Sequence, residues 1–241
     1  MESRAVNAED EGTDKLAVLP GSRPPLGPDR VVPRGRHGHP REEIQRVHRA
    51  RLLDAFVEVV GEVGYENTKI VEVCKRAGVS NRAFYATFSD KEACYLDAFD
   101  IGTSFLVEEV TRAYESASGP WTARVRAGIE TAMAYLAANP AFARFCTIEP
   151  PRVGPAAVER LNTVIENCRH RLEADQRAIA TPALRDGPRE AVLVGSIVRP
   201  IFGYIEDGKT DELPGLVPSL VDFLSLAVLG TDTAGSPLEP A

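Results

Sequence analysis

Apolar residues recur at steps of three and four positions along most of the chain from about residue 41 onward. In the first such segment they are Leu52, Phe56, Val59, Val60 and Val63. This spacing places them on one face of a helix. No segment alternates apolar and polar residues over the length of a strand. The pattern therefore predicts an all-α fold.

Glycine and proline divide this pattern into separate helices. Gly64 is expected to end the first helix, because glycine enters the left-handed conformation without strain. Thr68 is expected to cap a second, short helix. Gly119-Pro120, Asn139-Pro140 and Gly154-Pro155 mark three later boundaries, since proline is favoured at the first position of a helix.

The last two helical segments, roughly 188–206 and 214–229, are apolar on nearly all sides. The first contains the stretch "AVLVGSIVRPIFGYI", in which Pro200 is expected to produce a kink. A helix without a polar face needs partners around its whole circumference. We therefore expect a homodimer through these two helices. Both segments are too short and too interrupted to span a bilayer, so no membrane partner is expected.

The stretch from Ile70 to Thr87 has the pattern of a helix-turn-helix. A short helix ends at Ala77, Gly78 suits a turn with positive φ, and Ser80 can cap the next helix. In proteins with this motif the second helix lies in the major groove of DNA. The same geometry also occurs in all-α proteins that never bind DNA.

The second helix of this motif has an apolar side and a polar side. Ala83, Phe84 and Phe88 are expected to face inward. The Asn and Arg side chains of the outward set can bind base edges, and its Tyr and Thr hydroxyls can bind phosphate oxygens. The N-terminus of this helix, capped by Ser80, also favours an anion such as phosphate. Lys91, which opens the next helix, can reach a further phosphate. The predicted outward residues are Asn81, Arg82, Tyr85 and Thr87.

These patterns define the expected organisation of the chain. Residues 1–40 are rich in Gly, Pro and charge and are predicted to be disordered. A three-helix helix-turn-helix domain follows over 41–90. A C-terminal helical dimerisation domain follows over 91–230 (about nine helices), and 231–241 form a disordered tail.

Charge is distributed unevenly along the chain, whose net charge is -7. Residues 30–91 contain 12 Lys and Arg against 8 Asp and Glu, a local charge of +4. Residues 92–241 contain 13 against 21, a local charge of -8. This favours a basic part that meets an anion and an acidic body that does not. Arg34, Arg36 and Arg41 either reach an adjacent minor groove or add only general electrostatic attraction.

The segment "GYENTKIVEVCKRAGVSNRAFYATFSDKEACYLDAF" resembles the N-terminal domain of the tetracycline-repressor (TetR) family of bacterial transcriptional regulators. The resemblance covers roughly residues 46–99. It implies an Ω-shaped homodimer, a two-fold palindromic operator, and release from DNA when a small molecule binds the C-terminal domain. The matching residues are Gly64-Tyr65, Thr68, Ala77-Gly78-Val79-Ser80, Phe84-Tyr85, Phe88 and Lys91-Glu92-Ala93.

The resemblance also implies roles for single residues. Thr68, Tyr85 and Lys91 match phosphate contacts of the family, whereas Asn81, Arg82 and Ala83 occupy its base-reading positions. Two residues depart from the family pattern. Arg82 stands where a small residue, often Gly, is usual, and Ala83 replaces the usual Ser or Thr and so removes one hydroxyl contact. The N-terminal extension is also longer than is typical.

The effector is expected to bind between helices of the acidic C-terminal part, among apolar and aromatic side chains. Each candidate residue has core packing as its alternative role. Arg199 lies next to Pro200 in an apolar helix, so it requires either a carboxylate partner or an anionic ligand. The candidates are Phe99, Phe105, Met133, Phe142, Phe145, Cys168 and Arg199.

Other classes of protein receive little support from the sequence. The four cysteines form no CxxC pair, the four histidines show no zinc-ligand spacing, and no nucleophile–base pair or phosphate loop appears. We therefore expect no metal, no cofactor and no enzymatic activity. No secretory signal is visible, so the protein is expected in the cytoplasm at the nucleoid. The alternative is a dimeric ligand-sensing or interaction module with a degenerate helix-turn-helix.

Overall fold

The structure is a computed structural model that describes residues 41–179 and 189–229. These residues form ten α-helices and one 3-10 helix without a strand, which confirms the all-α prediction. Seven of the α-helices and the 3-10 helix follow residue 90, where the sequence predicts about nine helices. The elements are α1 Arg41–Val63, α2 Ile70–Ala77, α3 Asn81–Thr87, α4 Lys91–Ser116, α5 Trp121–Ala138, α6 Pro140–Thr147, α7 Pro150–Val153, α8 Pro155–Ile179, α9 Arg189–Glu206, the 3-10 helix Thr210–Leu216 and α10 Val217–Leu229.

Helices α1 to α3 form the N-terminal unit. Gly64 follows α1 with φ +81°, and its N–H donates to the Val60 carbonyl at 2.8 Å, so it ends α1 as expected. Phe84 of α3 is completely buried and Phe88 is 6% exposed. Both join α1 residues in one apolar core, where Phe56 is also fully buried. The apolar faces of α1 and α3 therefore pack against each other.

The 26-residue helix α4 connects this unit to the rest of the chain. The Asp90 carboxylate caps it by accepting a hydrogen bond from the Ala93 N–H at 2.8 Å. The first half of α4 is buried, and the Tyr95 hydroxyl donates to the Phe145 carbonyl of α6 at 2.6 Å. Because the same core continues from α1 through Tyr95 to α6, the two parts of the chain share a continuous apolar interior.

Two close helix approaches fix this packing. A Cβ atom at Gly61 of α1 would lie 2.6 Å from both Cα and Cβ of Ala141 in α6. A Cβ atom at Gly102 of α4 would lie 2.3 Å from the Phe142 ring. Both distances are shorter than real Cβ contacts, so α6 packs against α1 and α4 only because glycine stands at these positions.

Some sequence-based boundaries need correction. Thr68 does not cap α2, because the N-cap is Lys69, whose side chain makes no capping bond. The sequence also predicts that Pro150-Pro151 ends the helix that follows Asn139-Pro140. Instead, α6 ends at Thr147, and Pro150 and Pro151 open the separate four-residue helix α7. Cys168 is exposed on α8 rather than facing inward. The predicted extension 1–40 and tail 231–241 lie outside the described residues, together with Arg34 and Arg36. None of the described helices has the length and apolar character needed to cross a bilayer.

Candidate nucleic-acid interface

The turn between α2 and α3 has the geometry that the sequence predicts. Gly78 adopts the left-handed conformation with φ 63° and ψ 36°. The Val79 N–H donates to the Cys74 carbonyl at 3.0 Å, which closes the end of α2. The Ser80 hydroxyl accepts a hydrogen bond from the Ala83 N–H at 3.2 Å. Because the end of α2 and the start of α3 are both held by hydrogen bonds, the angle between the two helices is well defined.

Helix α3 presents polar side chains to solvent. Asn81 and Arg82 are exposed, and Tyr85 is 60% exposed. The Tyr85 ring stands edge-on against the buried Phe84 ring, with centroids 5.3 Å apart. An amide, a guanidinium and a phenol therefore project from one short, well-anchored helix. These groups can bind base edges and phosphate oxygens.

Two other predicted phosphate contacts are hydroxyls that are engaged within the protein. The Thr68 hydroxyl, buried at 4% exposure, donates to the Gly64 carbonyl at 2.8 Å. The Thr87 hydroxyl donates to the Ala83 carbonyl at 2.8 Å. Each hydroxyl proton is thus already used, so a phosphate contact requires the hydroxyl to rotate. Their role in DNA binding stays a prediction.

Lys91 is held against the turn between α1 and α2. Its ammonium donates to the Tyr65 carbonyl at 2.9 Å and to the Thr68 carbonyl at 3.4 Å, and it lies 4.1 Å from the centroid of the Tyr65 ring. Burial lowers the pKa of Lys91, and the opposing effect of the nearby Glu66 carboxylate is smaller. Burial also raises the pKa of the Tyr65 phenol to about 12. Lys91 is therefore a structural cation here, and it reaches phosphate only by leaving these carbonyls.

Two arginines of this unit form ion pairs with carboxylates. The Arg76 guanidinium forms a two-pronged pair with Glu62, with N–O distances of 2.6 and 2.8 Å. Arg49 pairs with Asp97 of α4 at 2.6 Å. Two exposed lysines, one just before α2 and one within it, were not in the sequence-based set; they are Lys69 and Lys75. The side chain of Arg41, at the start of α1, lies outside the described part of the chain.

The predicted effector residues do not converge on a single cavity. Phe99, Met133, Phe142 and Phe145 are at most 2% exposed and belong to the main core. They act as packing residues in this structure, which is the alternative the sequence left open. Phe105 is half-buried, with its ring centroid 5.7 Å from that of Tyr135.

The other two effector candidates lie at the surface. Cys168 is exposed on α8. Arg199 is exposed on α9, and its guanidinium lies 3.9 Å from the Glu206 carboxylate. This is one of the two partners the sequence offered for Arg199, namely a carboxylate rather than an anionic ligand.

Sequence reasoning missed one charged residue between the two parts of the chain. Glu149 is completely buried, and its Oε2 accepts a hydrogen bond from the Tyr65 N–H at 2.8 Å. The residue precedes α7, whereas Tyr65 lies in the turn after α1. The sequence gives no signal for this contact, because an acidic residue beside two prolines normally indicates an exposed loop.

A capped helix-turn-helix is a motif that DNA-binding transcriptional regulators use. Residues 52–98 match the family of bacterial regulatory proteins described as the tetR family. This match covers the helix-turn-helix part of the chain and confirms the resemblance stated from the sequence. No curated protein sequence gives a significant match to this chain.

Solved structures show the same fold. The fatty acid degradation regulator FadR from Bacillus halodurans has 17% identity and a TM-score of 0.65, covering 76% of this chain and 96% of that one. FadR from Bacillus subtilis in complex with stearoyl-CoA has 18% identity and a TM-score of 0.63, covering 75% and 97%. The TetR-family regulator PfmR from Thermus thermophilus has 18% identity and a TM-score of 0.54, covering 76% and 99%.

Proposed function

We propose that the protein is a repressor that binds a palindromic operator as a homodimer and leaves it when a small molecule binds the C-terminal domain. The observation that carries this proposal is the exposed face of α3, with Asn81, Arg82 and Tyr85 around a fully buried Phe84. Its site of action is then the nucleoid, in the cytoplasm. No enzymatic role is proposed.

Asn81 and Arg82 are the proposed base readers. An Asn amide can bond adenine in a bidentate manner, and an Arg guanidinium can do the same with guanine. Because α3 is only seven residues long, these residues near its N-terminus are placed to enter the groove first. Tyr85, one turn further along, is proposed to bind a phosphate oxygen through its hydroxyl.

The proposed dimer forms through α9 and α10. Phe223 is 40% exposed and Leu226 is 59% exposed on α10, whereas Leu224 between them is 1% exposed. Apolar side chains on the outer face of a short C-terminal helix favour coverage by a second apolar surface. A two-fold dimer covers the same patch on both protomers and repeats α3, as a palindrome requires.

The proposed effector has a long apolar portion. Half-buried apolar side chains from α4, α5 and α8, among them Phe105, Tyr135 and Leu161, pack against the outside of the main core. Such partly covered groups can line a ligand site once the helices separate. Because FadR from Bacillus subtilis was solved with stearoyl-CoA, fatty-acyl thioesters are the first class to test.

This effector class is testable with the natural fluorescence of the chain. Trp121 is the single tryptophan, is 5% exposed, and lies at the start of α5. Stearoyl-CoA should change its emission in a saturable manner, whereas free coenzyme A should not. Equal responses to both compounds would contradict recognition of the acyl chain.

Coupling between the two domains is proposed to run through α4. This helix opens with Lys91 at the DNA-binding domain and continues to Ser116 in the effector domain. An effector that binds more tightly to one spacing of the two α3 helices shifts the dimer toward that spacing. Half-sites one turn apart, roughly 34 Å, tolerate only a small change in this spacing.

A second candidate is a ligand-sensing module whose helix-turn-helix no longer binds DNA. Two observations favour it. Ala83 offers no hydroxyl at a base-reading position. The Lys91 ammonium and the Thr68 hydroxyl already donate hydrogen bonds to carbonyls of the protein itself. The double change Tyr85→Phe with Lys91→Ala separates the two candidates, because a DNA-binding protein should lose affinity and salt dependence whereas a degenerate module has none to lose.

The test of the main proposal is fluorescence anisotropy against duplexes tiled across the DNA flanking the gene for this protein. Wild-type protein should bind one palindromic tile tightly, and Asn81→Ala with Arg82→Ala should weaken that binding by about 1–3 kcal/mol for each base contact. The control changes Asn162→Ala and Arg112→Ala remove an exposed amide and an exposed guanidinium from the effector domain. Equal losses in both double variants would contradict reading by α3.

A further inference from the structure

Glu149 is a fully buried carboxylate at the boundary between the two domains. It lies between the last residue of α6, Thr147, and the first residue of α7, Pro150, and none of its surface is exposed. A buried carboxylate is costly unless it is paired and hydrogen-bonded. Its partners therefore indicate what the buried charge does.

The two oxygens of Glu149 have different partners. Oε1 lies 3.2 Å from Arg144 Nη2 and 3.6 Å from Arg152 Nη1, both on the effector domain. These contacts are ion pairs without the alignment of a hydrogen bond, and both arginines are partly exposed. Oε2 makes the aligned bond, accepting from the backbone N–H of Tyr65 at 2.8 Å. The best-directed bond of the carboxylate therefore crosses to the DNA-binding domain.

The turn that receives this bond is held from the other side as well. The Tyr65 carbonyl accepts the hydrogen bond from Lys91, the first residue of α4. Gly64 adopts φ +81°, and a Cβ there would lie 3.6 Å from Glu149 Oε2. The carboxylate thus lies directly against the turn. Both backbone polar groups of Tyr65 are fixed by residues outside α1 and α2.

We propose that Glu149 is the positioning residue that fixes the DNA-binding domain on the effector domain, and that effector binding acts on operator affinity through its bond to Tyr65. This inference rests on the proposed repressor function. Glu149 follows α6 directly, and α6 packs on α1 at the Gly61–Ala141 approach, so a displacement of α6 moves Glu149 relative to Tyr65. Breaking the bond leaves the Tyr65 N–H and the Glu149 carboxylate without this buried partner, which costs free energy. The two domains are therefore expected to change between two discrete arrangements, with the bond made or broken, rather than gradually.

The experiment compares Glu149→Ala and Glu149→Gln with wild-type protein by two readouts. The first is hydrogen exchange of the Tyr65 amide in the full chain, resolved by NMR. The second is operator affinity with and without stearoyl-CoA. Glutamine keeps an acceptor for Tyr65 but removes the charge, so it also serves if the alanine variant does not fold. Glu166→Ala and Glu166→Gln are matched controls, because Glu166 pairs with Arg169 on the exposed surface of α8.

The expected result has three parts. In Glu149→Ala the Tyr65 amide exchanges at least about tenfold faster, the loss expected when a buried hydrogen bond is removed. Operator affinity falls by at least about fivefold. The ratio of operator affinities without and with effector moves toward one, from the range of roughly 5–150-fold that is usual for such coupling. Glu149→Gln lies between alanine and wild type, and the Glu166 variants match wild type.

Contrary results separate the possible failures. Unchanged Tyr65 exchange in both Glu149 variants would overturn the proposed bond. Faster exchange with wild-type operator affinity and effector ratio would show that Glu149 only stabilises the fold, which also overturns the proposal. If wild-type protein binds no operator or does not respond to stearoyl-CoA, the corresponding part of the proposed function fails, while Tyr65 exchange still decides whether Glu149 holds the turn.

Discussion

Helices α3 and α10 lie near opposite ends of the described chain and expose opposite kinds of side chain. Helix α3 has seven residues, buries Phe84 completely and turns Asn81 and Arg82 to solvent. Helix α10 has 13 residues and leaves Phe223 and Leu226 exposed. A polar surface suits a hydrated groove with charged edges, whereas an apolar surface is stabilised when a second apolar surface covers it. The exposed surfaces of the two helices therefore differ in chemistry, as the proposed DNA contact and the proposed dimer require.

The two helices also differ in how they are anchored. A cap from Ser80 and one large buried ring hold α3, both within a few residues of the exposed face. Helix α10 buries several side chains over two turns, namely Leu220, Val221 and Leu224. A single change should therefore damage α3 more than α10. The following predictions test that difference, from the largest expected effect to the smallest.

Phe84→Ala should destabilise the protein most. Removal of a fully buried aromatic ring costs about 3–5 kcal/mol, because the cavity closes only partly. Leu226→Ala removes a side chain that is 59% exposed, so its effect should appear in dimer affinity rather than in the core. Urea unfolding at several protein concentrations checks both changes. Equal losses of unfolding free energy, independent of concentration, would remove the contrast between α3 and α10.

Gly61→Ala should force α1 and α6 apart. The added Cβ would lie 2.6 Å from Ala141 Cα, and backbone atoms cannot move aside as a flexible side chain can. We expect a net loss of about 1–3 kcal/mol, despite the better helix propensity of alanine. Gly215→Ala is the control, because a Cβ there meets no described atom within 4 Å. Thermal unfolding of both variants provides the measurement, and a stabilised Gly61→Ala would contradict this packing.

Ser80→Ala should weaken the start of α3. The hydroxyl accepts the Ala83 N–H, and loss of such a cap costs about 1 kcal/mol. Ser80→Gly should cost only a few tenths of a kcal/mol, since glycine leaves the N–H open to water. Denaturant unfolding compares the two variants. The result would argue against the cap if alanine and glycine were equally tolerated.

His48 should give the smallest effect, visible as a pH dependence. Burial and the nearby Arg51 lower its pKa from the usual value near 6.5. The unfolded chain then binds the proton more readily than the folded chain. Neutral His48 therefore does not destabilise the fold above about pH 6.5, and the free energy of unfolding falls as the pH drops from there through the folded pKa. His48→Gln should flatten the unfolding free energy between about pH 7 and pH 5. An unchanged slope would show that His48 is not responsible.

The sequence predicted the features that depend on neighbouring residues. Gly64, Gly78 and Ser80 each act on a turn or cap within four positions, so the helix-turn-helix followed directly from the local pattern. The outward set on α3 followed from the helical pattern. Asn81, Arg82 and Tyr85 are exposed as predicted, whereas Thr87 is half-buried.

The features that the sequence could not predict depend on distant contacts. Glu149 and Tyr65 are 84 positions apart, and only the packing of α6 on α1 brings them together. Lys91 bends back over 26 positions to the Tyr65 carbonyl rather than extending into solvent. Phe142 and Phe145 were effector candidates by their aromatic character, but this character cannot separate a packed core from a ligand site, because both are lined by the same side chains.

The central claim is that α3 reads a specific DNA sequence. The most direct test compares the affinity of the full chain for the palindromic tile that it binds with its affinity for a scrambled duplex, at one fixed salt concentration. Specific reading by α3 predicts a ratio of at least about 10³ in wild-type protein. The ratio should fall steeply when Asn81 and Arg82 are both replaced by alanine. A ratio near one in wild-type protein, at a salt concentration where it still binds DNA, would contradict the account and leave only electrostatic attraction.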